Sequence, residues 1–115
     1  MNHAIEVKGG ERTLYLSGQT STAPDASALH PGDLVAQFQT AYDNLKAALS
    51  DADMEPTHIV RMNIYTTDVT LFMEKAEEII PIFAVDGVEP VCTLLGISAL
   101  YDPDLMVEIE ATAVA

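Results

Sequence analysis

The stretch LVAQFQTAYDNLKAALS sets Leu34, Phe38, Ala41, Tyr42, Leu45 and Leu49 at steps of three and four. That spacing gathers all six on one stripe of a helix and leaves the opposite side polar. A helix of this kind has to lay its stripe on another apolar surface. On both sides of it the hydrophobic period changes to two. TLYLSGQ, residues 13 to 19, alternates Leu14 and Leu16 with Thr13, Tyr15 and Ser17. THIVRMNIYTTD, residues 57 to 68, places Val60, Met62 and Ile64 on one side and Arg61, Asn63 and Tyr65 on the other. Both read as strands with one apolar face. One-sided helices beside one-sided strands predict an α+β fold in which helices cover one face of a sheet.

The remaining segments extend that frame. AIEV at 4 to 7 reads as a hairpin partner of the 13–19 strand, turned by Gly9-Gly10. TSTAPDASALHPGD, residues 20 to 33, is a loop of a length that is often functional. Pro31 and Asp33 suit the first turn of the first helix, which SDADMEP ends before Pro56. LFMEKAEEIIPIF, 71 to 83, carries Phe72, Ala76, Ile79, Ile80 and Phe83 at helical spacing, and Pro81 is expected to cut or kink it late. A turn at AVDGVEP leads to a strand over 91–100, a turn at YDPD and a closing strand in LMVEIEATAVA. The expected order is β-β-α-β-α-β-β in one domain over residues 1–115, a single mixed sheet with two helices on one face. Glu108, Glu110 and Thr112 share one side of the closing strand. A second sheet face that is only semi-polar predicts an oligomer.

Charge narrows the function classes. The chain has a net charge of −13 and only five basic residues, Lys8, Arg12, Lys46, Arg61 and Lys75. Binding to a phosphate backbone needs clustered Lys and Arg, so no nucleic-acid partner is expected. No apolar run approaches the ~20 residues of a membrane span, and MNHAIEVKGG lacks a signal-peptide pattern. The single cysteine, Cys92, excludes an internal disulfide, in keeping with a cytoplasmic location.

Four chemical features stand out, each beside a plainer alternative. Cys92 is either a nucleophile or a small buried hydrophobe; no adjacent cation lowers its pKa, and Glu89 would raise it if close. His3, His30 and His58 are scattered, so no metal site is expected. Glu108 and Glu110 are an acid–base pair or members of an ion-pair network with Arg61. With one arginine for two carboxylates, the spare is expected to carry a raised pKa. Ser17-Gly18-Gln19 ends a strand; its backbone N–H groups suit an oxyanion or simply form a turn.

Together, LYLSGQTS, QFQTAYDNLKAALSDADMEPTHIVRMNIYTTD and LLGISALYDPDLMVEIEATAVA resemble the RidA/YjgF family, in order, from about Leu14 to Ala115. The resemblance implies a chorismate mutase-like fold and a homotrimeric barrel with small-molecule sites in the clefts between subunits. It also implies hydrolysis of reactive enamines or imines, such as 2-aminoacrylate, to keto acids and ammonia without metal or cofactor. Some members carry endoribonuclease or translation-inhibitor labels. By the same resemblance Ser17, Gly18 and Gln19 line the cleft, Glu108 holds or activates water, Glu110 follows on the same face, and Gly96 matches a strand glycine. The typical deaminase reads Pro-Ala-Arg-Ser/Thr where this chain has Pro90-Val91-Cys92-Thr93. Cys92 therefore stands where an arginine grips the substrate carboxylate, with Thr93 beside it in the site. The cleft tyrosine of a Gly-Pro-Tyr-Ser stretch and an asparagine after Asp68 are missing too. The expected activity is thus hydrolysis of a related C–N bond in a substrate other than the standard 2-imino acid, or else non-catalytic metabolite binding.

Overall fold

Strands β1 (Thr13–Thr20), β2 (Ile59–Thr66), β3 (Val91–Gly96) and β4 (Val107–Val114) form one mixed sheet in the order β1-β4-β2-β3. The computed structural model describes residues 2–115. β4 runs antiparallel to both β1 and β2, whereas β2 and β3 are parallel. A parallel pair needs a crossover, and the helices α2 (Val69–Glu74) and α3 (Ala76–Ala84) supply it. Helix α1 (Leu34–Asp51) lies over β1 and β4 and against α3.

The α1 stripe behaves as its spacing demands. Leu34, Phe38, Ala41, Tyr42, Leu45 and Leu49 are all buried. They meet Met62, Ile64, Val107, Ile109, Ala111 and Ala113 from the sheet. Phe38 also contacts Phe72 edge-on at a 6.2 Å centroid distance and Phe83 at 6.0 Å. Asp33 is the N-cap of α1, its carboxylate accepting from the Ala36 N–H at 3.1 Å.

Gln37 is a buried polar residue inside this apolar stripe. Its Nε2 donates to the carbonyls of Asp104 (2.7 Å) and Leu29 (3.3 Å), and its Oε1 accepts from the Met106 N–H (2.8 Å). Asn44 donates to the Thr20 and Thr22 carbonyls, and the Ser21 hydroxyl donates to Leu29 O. The long 20–33 loop is thus tied to α1 at both ends.

Four local expectations need correction. Residues 4–7 form no strand and no hairpin. The Glu11 and Arg12 N–H groups both donate to Ala115 O, and Gly10 lies against the Val114 side chain, where a Cβ would come within 2.5 Å. The chain therefore crosses the end of the sheet instead of turning back beside β1, and Asn2 bridges to Val91 on β3. Secondly, Ile59 rather than Val60 points into the core, because an irregularity between Ile59 and Arg61 shifts the pairing with β4. Thirdly, β3 stops at Gly96 rather than 100. Lastly, the second helical region breaks at Lys75, and Pro81 sits inside α3 on its exposed side. There solvent can take the carbonyl that proline's missing N–H leaves free.

Candidate active site

Helices cover one face of the sheet; the other carries the polar half of each alternation. β4 alternates buried Val107, Ile109, Ala111 and Ala113 with half-buried Glu108, Glu110 and Thr112. On β2 Glu108 is paired with Tyr65, Glu110 with Asn63 and Thr112 with Arg61. On β3 Thr93 pairs with Asn63 and Val91 with Arg61.

The two carboxylates are in different states. Glu110 accepts from the Tyr65 hydroxyl and from Asn63 Nδ2, the latter at 3.1 Å. These two bonds hold its pKa below the usual carboxylate range. Glu108 is pushed up, first by burial and then by the neighbouring Glu110 charge. The expected ion pair with Arg61 does not form; the register sets Arg61 beside Thr112, and Tyr65 and Asn63 take its role. The spare carboxylate with a raised pKa is Glu108. Tyr65 is itself raised by its hydrogen bond to Glu110, with burial and the two carboxylate charges adding to the effect.

Gly18 and Glu108 meet at a bulge. Pairing of β1 with β4 runs Leu16 to Ala111 and then resumes at Gln19 with Ile109, leaving Ser17 and Gly18 across from Glu110 alone. Such a bulge re-aims backbone beside a side chain of the partner strand. A Cβ on Gly18 would come within 2.6 Å of Glu108 Cδ. Only a glycine lets the carboxylate rest there. Ser17 is exposed, and Gln19 Nε2 reaches the Ser17 carbonyl at 3.3 Å.

Cys92 and Thr93 lie elsewhere. Cys92 pairs in register with fully buried Met62, is half-buried and packs against the core. Burial pushes its thiol pKa up, the opposite of what a nucleophile needs. Cys92 and Thr93 also border a cleft of about 550 Å³ at the β3 edge, with Arg61, Asn63 and the 2–5 segment. Ser17, Gly18 and Glu108 are thus brought together on β1 and β4, while Cys92 and Thr93 sit toward the opposite edge of the sheet. With strands about 4.8 Å apart, three spacings put β1 roughly 14 Å from β3. Among the described residues, no group of three or more His, Cys, Asp and Glu is placed to hold a metal ion. No helix among them is long and apolar enough to cross a membrane.

This β1-β4-β2-β3 sheet, with one helix-covered face, recurs in known proteins. A family model described as Endoribonuclease L-PSP matches residues 2–115. The chain belongs to the RidA/YjgF family. Protein DfrA of Myxococcus xanthus is 34% identical over 99% of this chain and 84% of its own length. A RutC family protein of Aquifex aeolicus is 32% identical over 98% of this chain and 86% of its own length. Among solved structures, the Rid family protein YyfB of Yersinia pestis, itself of unknown function, superposes with a TM-score of 0.82 at 29% identity, covering 95% of this chain and 83% of that one. The YjgF gene product of E. coli gives 0.78 at 26% identity, covering 94% and 84%. A goat protein named 2-iminobutanoate/2-iminopropanoate deaminase is 31% identical over 62 residues, 54% of this chain and 45% of its own length. The RidA/YjgF membership expected from the sequence is confirmed, and the mixed sheet under two main helical regions agrees with it.

Arg61, Asn63 and Tyr65 were visible in the sequence as one strand face, but not as a cleft wall or as the support of Glu110. Their alternation against Glu108 and Glu110 is the signal; the register that joins them is not written locally.

Proposed function

We propose that the protein is a RidA-like hydrolase acting on an enamine, imine or related C–N bond of a small metabolite. The observation that carries this reading is the split carboxylate pair, with Glu108 of raised pKa resting on Gly18 and Glu110 held ionised by Tyr65 and Asn63. A carboxyl of raised pKa can give its proton to an imine nitrogen and then take one from the attacking water. The C=N carbon gains the water oxygen; Glu108 then passes the proton it took to the amine nitrogen and takes the proton of the new hydroxyl, so that the C–N bond breaks and ammonia leaves as the carbonyl forms. The Ser17-Gly18 backbone suits the oxygen, with Gln19 and Thr93 as further contacts. Cys92 forms a wall of the pocket rather than attacking covalently, as its burial supports. The proposed chemistry uses side chains and water alone.

The two half-sites lie toward opposite sheet edges, so a complete site is proposed to form between copies, in the clefts of a cytoplasmic homotrimer. The goat relative's name supports the imine class. The substrate is proposed to differ from the standard 2-imino acid, because Cys92 cannot replace a bidentate guanidinium. The same lack favours a second reading, non-catalytic metabolite binding. Ribonuclease activity fits poorly with a charge of −13 and two glutamates on the open face.

The test is a coupled assay in which a serine or threonine dehydratase generates 2-aminoacrylate and its decay is followed. Wild type, Cys92→Arg and Glu108→Gln are compared. Activity in Cys92→Arg that exceeds wild type and disappears with added Glu108→Gln supports the reading. Silence of every variant, with substrates lacking a carboxylate as well, rejects it in favour of binding.

A further inference from the structure

We propose that Arg61 and the β3-edge cleft form an oxyanion subsite, which takes a carboxylate or phosphate group of a small metabolite. The proposal deepens the hydrolase reading and rests on it for treating that anion as part of a substrate.

The chain holds 18 acidic and five basic residues, so a cation with neither a carboxylate nor a hydrogen-bond partner is unusual in it. Lys8 pairs with Glu6 at 3.5 Å, Lys46 with Asp86 at 3.3 Å and Lys75 with Glu78 at 3.5 Å. Arg12 donates to the Ala52 carbonyl. Among the described residues, Arg61 has neither an ion-pair nor a hydrogen-bond partner for its side chain. The acid next to it in the sheet, Glu110, is already taken by Tyr65 and Asn63.

Arg61 borders the roughly 550 Å³ cleft with His3, Asn63, Cys92 and Thr93, and no Asp or Glu is among the lining residues. The outer wall is anchored. The Asn2 N–H donates to Pro90 O at 3.1 Å and its Nδ2 to Glu89 O at 2.6 Å, which holds the 2–5 segment beside Val91. A guanidinium presents a planar fork of N–H donors that matches a carboxylate or phosphate edge. The Thr93 hydroxyl and His3 ring offer further donors. An acidic protein thus keeps an acid-free cleft beside an unengaged arginine, which also borders a smaller cleft lined by Glu110. That arginine sits on the strand next to Cys92, in register with Val91. It is placed to receive an anion from a different direction than a side chain at position 92.

The experiment is titration of the intact ¹⁵N-labelled protein with sodium pyruvate and, separately, with sodium phosphate at constant ionic strength. The Arg61 side-chain and Thr93 backbone N–H signals are followed. Saturable shifts at both signals, weakened about tenfold or more in Arg61→Gln and less in Arg61→Lys, are expected. Stronger pyruvate binding marks a carboxylate, stronger phosphate binding a phosphate ester. Lys75→Gln, which also removes one positive charge, should keep the same affinity within about twofold, since Lys75 lies outside this cleft and pairs with Glu78. Shifts no larger than those with sodium chloride, or equal binding by Arg61→Gln, overturn the proposal. So does an Arg61→Gln protein that changes its assembly mass but binds both anions unaltered, because Arg61 is then a subunit-contact residue. Anion binding by a protein that stays silent as wild type and as Cys92→Arg, with substrates lacking a carboxylate as well, leaves the subsite standing and removes the hydrolase reading.

Discussion

Gly18→Ala separates a glycine needed by the backbone from one needed by the neighbouring carboxylate. Gly18 is not among the positive-φ residues, so its backbone accepts alanine. The added Cβ would lie 2.6 Å from Glu108 Cδ and 2.9 Å from its Cγ and Oε1. Ordinary carbon contacts begin near 3.5 Å, so the carboxylate has to retreat by about 1 Å. Glu108 is a flexible, half-buried side chain, and swinging its end outward costs under ~1 kcal/mol, a few degrees in Tm. The chemical effect is larger. A misplacement of about 1 Å in a reacting group can cost ~100-fold in rate. Leaving the bulge also returns the carboxyl to water, so its pKa falls back toward the ordinary glutamate range. Thermal unfolding, a ¹³C titration of the Glu108 carboxyl and imine turnover would be measured together. Nearly unchanged Tm with a lower Glu108 pKa is the expected pattern. A loss of several kcal/mol, or a Glu108 titration identical to wild type, would refute the reasoning.

Three further outcomes follow from the same geometry. Glu108 binds its proton more tightly folded than unfolded, so stability falls as pH rises from the ordinary glutamate range through its raised folded pKa; Glu108→Gln should gain stability above that window and lose the gain below it, in denaturant titrations across pH. Tyr65→Phe removes the leading cause of the depressed Glu110 pKa, so Glu110 should titrate higher by ¹³C NMR and the acid limb of any pH–rate profile should move up. Phe38→Ala empties a fully buried site between Phe72 and Phe83 and should cost about 3–5 kcal/mol in chemical denaturation, where a loss under ~1 kcal/mol would contradict the packing.

Much of this was legible in the order of residues. The α1 stripe and the alternation of β4 are local periodicities, and burial followed them residue by residue. The split between Glu108 and Glu110 was also foreseeable, since two carboxylates two residues apart share a strand face. What escaped depended on contacts distant in sequence. The 4–7 segment has strand-like alternation, but Gly10 against Val114 and the Glu11 and Arg12 bonds to Ala115 carry the chain across the end of the sheet. The ion pair of Glu110 with Arg61 did not form because a two-residue difference in register decides whether Arg61 or Asn63 stands opposite it.

The sequence alone determined the secondary-structure periods, the acidic surface and the face that strand residues occupy wherever no irregularity such as that at Ile59 interrupts the alternation, because these depend on spacing along the chain. Only the tertiary structure decided which polar groups meet. The bulge that lays Glu108 on Gly18, the hydrogen bonds that keep Glu110 ionised and the acid-free cleft around Arg61 all come from strand order and register. Those are set by how four strands share two edges under one helical layer, a balance of long-range packing that no local pattern encodes.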